Sequence, residues 1–125
     1  MVVTDSCQLP VELEALAESI VAVLQKEADD LSANGESPRI ELNDLQFTRV
    51  IDPGNRLTGY EGIWRNSRND RCGMLTFNSD HSFYAEYDLF CPHPRDARWF
   101  VEMVTAWGRA GDLRSEAKLI PSIEG

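Results

Sequence analysis

The stretch CPHPRDARWF (91–100) gathers Cys91, His93, two prolines, two arginines and Trp99 into ten positions. With Cys72 and His81 upstream, it holds the thiol and imidazole groups of a zinc ligand set. The spacing argues against one. Eight, nine and one residues separate Cys72, His81, Cys91 and His93, whereas structural zinc sites use close pairs, roughly two to five residues apart. A strand opening at Cys72 also sets it roughly 25 Å from His81, on the face opposite Cys91. No metal site is expected. The stretch reads instead as a stiff crossover between strands: Pro92 and Pro94 bias their predecessors toward extended shapes and cannot donate to a ladder, so pairing should break there.

Two other groups invite chemistry. Glu86 and Asp88 alternate along one strand, so they share a face about 7 Å apart, with His93 following. Carboxylates beside an imidazole bind divalent ions or move protons; an antiparallel sheet also simply shows polar residues to water. The chain carries no nucleophile elbow, phosphate-binding glycine loop, dinucleotide fingerprint or His-Glu-x-x-His pattern. No catalytic residue and no cofactor are expected, and the balance favours a protein that is not an enzyme. The rings Trp64, Tyr87, Trp99 and Trp107, with His93, would suit a ligand pocket between a helix and a curved sheet; buried rings of this kind are also ordinary core.

These side chains need elements to position them. A helix is predicted from about Pro10 to Ala33, because Leu13, Leu16, Ala17, Ile20, Val23, Leu24, Ala28 and Leu31 recur at three- and four-residue steps. Pro10 suits its first turn, and Asn34-Gly35 its end. Beyond Pro38 the pattern alternates. Strands are predicted from Ile40 through Leu42, Leu45 and Phe47, then over 60–65, 72–78 and 82–90, with turns at 52–55 and 66–70. Placing Phe77 opposite Phe83 across a three-residue loop, Ser79-Asp80-His81, collects Leu75, Phe77, Phe83, Ala85, Tyr87 and Leu89 on one face. A one-residue slip would scatter them. Residues 99–107 fit a helix or a strand; their valine, threonine and aromatic content favours the strand, with 113–120 as hairpin partner.

The chain has 125 residues and a net charge of -9, which argues against a broad basic surface for nucleic acid. Residues 1–38 carry eight acids and one base, a net of -7, leaving -2 for the rest. No run approaches the ~18–20 apolar residues of a membrane span. The start, MVVTDSCQLP, shows no leader, and the three sparse cysteines suggest free thiols. A cytoplasmic location is the expectation.

At GIWRN…CGMLTFNSDHSFYAEYDLF…RWF, over roughly residues 62–100, the pattern resembles the C-terminal half of the YezG-like bacterial toxin-immunity proteins, on Trp64, Leu75, Phe83, Tyr87, Asp88, Arg98 and Trp99. It departs from them in an Asp80-His81 turn where they have Asp-Gly, and in lacking a second helix before the tryptophan strand. The resemblance implies an acidic bacterial protein of the cytoplasm that blocks a toxin, with no catalytic residues.

The expected fold is therefore one α+β domain over 1–125, with 1–9 frayed: a long N-terminal helix on one face of a five- or six-stranded, mostly antiparallel sheet. The expected function is non-enzymatic, immunity-like binding of a basic protein partner through Glu27, Asp29, Asp30, Glu86 and Asp88. The alternative is a small-molecule-binding α+β roll, carrier or enzyme, with the aromatic pocket. An exposed sheet face or edge also leaves room for a homodimer.

Overall fold

The computed structural model describes residues 2–32, 37–51 and 53–122. Strand β1 (Val2–Cys7) leads into helix α1 (Val11–Leu31), and six strands follow: β2 (Gln46–Ile51), β3 (Thr58–Arg65), β4 (Arg71–Phe77), β5 (Phe83–Pro92), β6 (Trp99–Arg109) and β7 (Asp112–Pro121). All are antiparallel, and the spatial order is the chain order, β1 to β7. The α+β architecture agrees with the sequence. The seventh strand is β1, formed by residues expected to fray and paired with β2. The strand expected from Ile40 starts later; Leu42–Asp44 form a single 3-10 turn instead.

Helix α1 has 21 residues and so runs about 32 Å. Pro10 caps it, and its carbonyl accepts from the backbone N–H groups of Leu13 and Glu14 at 3.0 Å. The proposed stop at Asn34-Gly35 lies outside the described residues. The apolar stripe is buried as expected, with Val21 added to it and Val23 only partly covered. It packs over β5, β6 and β7. Leu75, Phe77, Phe83, Ala85, Val101, Val104 and Ala106 rise from the sheet to meet it. Each large apolar side chain buried here contributes roughly 1.5–3 kcal/mol before entropy is subtracted.

The β4–β5 register is the expected one, with Leu75 opposite Ala85 and Phe77 opposite Phe83. Its loop and the β3–β4 loop share one construction. In each, the backbone N–H of the first residue donates to the carbonyl of the last: Asn66 to Asp70 at 2.9 Å and Asn78 to Ser82 at 2.8 Å. In each, the fourth residue is left-handed, Asn69 at φ 65 and His81 at φ 67. This is the three-residue hairpin loop in which glycine usually takes the left-handed place. Residues 99–107 are strand, within β6, and β7 is its hairpin partner.

Candidate functional site

Strand alternation divides the candidate residues between two surfaces. On the helix side, Trp64 is 2% exposed. Its indole Nε1–H donates to the Glu41 carbonyl at 2.9 Å, and its ring meets Tyr87 edge-on, centroids 5.5 Å apart. Glycine makes this possible: a Cβ on Gly73 would lie 2.7 Å from the Glu86 carbonyl oxygen and 3.0 Å from the Trp64 and Tyr87 rings. Burial, reinforced by the adjacent Cys72 thiol, pushes the Tyr87 hydroxyl up to about 12.

Trp107 is not with them. It pairs with Tyr84 on β5 and Arg114 on β7, on the face away from the helix. The simple alternation Trp99, Val101, Met103, Thr105, Trp107 breaks because the β6–β7 register shifts between Val101 and Met103, inserting Glu102. A bulge of this kind reverses the side-chain faces beyond it. Val101, Val104 and Ala106 thus lie in the core under the helix, and Met103, Thr105 and Trp107 take the other face, where Met103 and Trp107 are half-buried and Thr105 is covered by its neighbours at 6% exposure. The pocket expected from Trp64, Tyr87, His93, Trp99 and Trp107 does not form: its members lie on opposite sides of the sheet, and the helix side is packed.

The 91–100 stretch is also corrected. Pairing continues through Cys91 with Val101 and Pro92 with Phe100, so Cys91 and Pro92 belong to β5, and 93–98 join neighbouring strands rather than crossing over. The loop is closed by the His93 N–H to the Trp99 carbonyl at 3.0 Å and the Trp99 N–H to the Asp96 carbonyl at 3.1 Å. His93 Nδ1 accepts from the Arg95 N–H at 3.1 Å. Arg98 grips Asp96 at 2.8 Å and holds that carboxyl down to about 2. His93 and Cys91 border a cleft of about 290 Å³ with Ser32, Pro38 and Leu89. Burial raises the Cys91 thiol, which donates weakly to the Leu31 carbonyl at 3.8 Å. Cys72, expected to face away from Cys91, sits at the β3–β4 register shift and packs against the same core as Cys91.

The five acidic residues do not form one epitope. Glu27 accepts from the Ser115 hydroxyl at 2.8 Å. Asp29 accepts from Gln25 and Ser37, bonds that hold its carboxyl below the usual range. Asp30 pairs with Arg95 at 3.2 Å, tying the helix end to the β5–β6 loop. Each of these helix carboxylates is thus engaged within the chain. Glu86 and Asp88 lie across the sheet, on the outer face.

That face is a grid read directly from the register. One row runs Glu61, Thr76, Tyr84, Trp107, Arg114; the next runs Ile63, Met74, Glu86, Thr105, Glu116; a third runs Asp88, Met103, Lys118. The single helix packs on the opposite face, so these rows carry no covering layer among the described residues. Tyr84 is 39% exposed, and Met74, Met103 and Trp107 are half-buried. Burial, then the Glu86 charge, raise the Asp88 carboxyl, with Arg71 offsetting part of the effect. The same two causes raise Tyr84. The outer face therefore holds closely spaced negative charge beside aromatic and thioether surface. The β4–β5 register expected from the sequence already sets Met74 and Tyr84 on the face of Glu86 and Asp88. Met103 is the addition, turned to that face by the irregularity at Glu102, which nothing in the sequence marks.

Among the described residues, no group of three or more His, Cys, Asp or Glu is arranged to hold a metal ion, and no helix is long and apolar enough to cross a membrane. Among the described residues the fold is α+β, and the sheet face away from the helix carries Glu61, Glu86, Asp88 and Glu116 together with Arg114 and Lys118 among aromatic and methionine side chains. Compared with protein-family models, curated proteins and solved structures, the chain matches none.

Proposed function

We propose that this is a non-enzymatic binding protein whose outer sheet face takes a basic protein partner. The observation that carries the reading is the grid itself: Glu61, Glu86 and Asp88 lie among Thr76, Tyr84, Trp107, Met74 and Met103 on the side the helix leaves open. Aromatic and methionine side chains are enriched at the centres of protein interfaces. A guanidinium or ammonium group gains twice there, from a carboxylate and from the face of a Trp or Tyr ring. Negative potential also speeds encounter with a basic partner. Immunity-like inhibition of a basic toxin is the form of this function that the resemblance over 62–100 implies.

The test is capture of partners from the cells that make the protein, repeated along a salt series. Reversal of Glu86 and Asp88 to lysine is expected to abolish salt-sensitive capture, while Asp29→Lys with Asp30→Lys leaves it in place. Capture that ignores Glu86 and Asp88, or that does not weaken with salt, would refute the reading.

A further inference from the structure

Strand β7 is an edge of the sheet, bonded to β6 on one side only. Its outward side chains alternate in sign, Asp112, Arg114, Glu116, Lys118. Charge on an edge ordinarily blocks further pairing, and this pattern would be unremarkable if β6 neutralised it. It does not. Arg114 stands opposite Trp107, Glu116 opposite Thr105 and Lys118 opposite Met103; Asp112 alone has a charged neighbour across the ladder, Arg109. Arg114 and Asp112 also form an exposed ion pair along the strand at 3.4 Å.

The order minus, plus, minus, plus is its own complement when the strand is laid antiparallel to itself. With a two-fold axis through Ser115, Asp112 faces Lys118 of a second copy and Arg114 faces its Glu116. Each pair occurs twice by symmetry. Moving the axis to Arg114 sets Arg114 against itself and Asp112 against Glu116. Moving it to Glu116 sets Glu116 against itself and Arg114 against Lys118. Only the Ser115 axis avoids like charges while using all four groups. On the helix side it puts Leu113 against Ala117. It also sets Leu119 and Ile120, 37% and 40% exposed, beside the small Gly111 and Ala110 of the other copy's turn. One effect opposes it: the two Glu27 carboxylates, each bonded to its own Ser115, approach across the axis.

We infer that the protein forms a homodimer through β7, two copies joining edge to edge about Ser115 into one continuous sheet. The inference is independent of what the outer face binds; in the dimer two such faces lie side by side.

Light scattering across a concentration series tests it. Wild-type protein is expected at twice 14.1 kDa. Arg114→Glu and Glu116→Arg, both at exposed positions, should each weaken the dimer about tenfold or more, because each converts two attractive pairs into repulsive ones. Mixed in equal amounts, the two variants should recover dimer, since every 114–116 pair between them is again opposite in sign. Recovery also shows that both variants are folded. A wild type that stays monomeric at high concentration overturns the proposal. So does a dimer that both reversals leave intact, or single variants that fail to recover on mixing.

Discussion

Gly73 stands directly opposite Tyr87 on the neighbouring strand, and the Trp64 ring closes over the space a side chain at 73 would need. The gap is structural, because its floor is the Glu86 carbonyl, a backbone group fixed in the ladder. Gly73→Ala is therefore expected to destabilise the fold by about 1–3 kcal/mol, the usual range for overpacking. Urea unfolding followed by tryptophan fluorescence measures it, and an unchanged midpoint would show that the rings shift freely.

His81 holds the left-handed position of its loop at φ 67. For a residue with a Cβ that conformation costs roughly 1–2 kcal/mol, which glycine avoids while losing part of the gain to a more disordered unfolded chain. His81→Gly should raise stability by up to about 1 kcal/mol, read as a higher denaturation midpoint at unchanged slope. A loss of stability would mean that the imidazole contributes more than its backbone costs.

Asp88 is raised by burial and by Glu86, so its carboxyl ionises more readily in the unfolded chain than in the folded one. The resulting penalty is absent below the ordinary value of 3.8 and complete above the raised folded value. Asp88→Asn should thus be more stable than wild type at neutral pH, by less than about 1 kcal/mol given the exposure of the site. The advantage should vanish as the pH falls toward 3.8. Stability curves for the two proteins that run parallel across this window would contradict the assignment.

The sequence made most of this architecture legible where one register satisfied the core and its neighbours did not. Leu75, Phe77, Phe83 and Ala85 admit only one pairing, because a slip by one residue sends all four to water. Helix α1 was legible for the same reason, its stripe having one period. The bulges were not. Glu102 interrupts β6 with no glycine or proline to mark it, and Trp107 crosses to the other face as a result. Phe90, at φ 46 beside the β5–β6 register shift and 59% exposed, is a second case, since a bulky residue rarely takes that conformation. Strand β1 escaped notice because its partner β2 lies beyond the whole helix, and local pattern carries no record of a pairing so distant. Periodicity separates an acidic helix face from the Glu86/Asp88 face, but it does not say which carboxylates find partners within the chain, as Glu27, Asp29 and Asp30 do.

Each of the last six strands bonds to the one before it in the chain. From β2 onward the sheet can therefore zip forward hairpin by hairpin, each step closing only a short loop. Such closures cost little chain entropy and are quick. The helix is the exception: it is made early in the chain, yet its resting place on β5 to β7 is the last surface to be built, so its seating is expected to come late in folding.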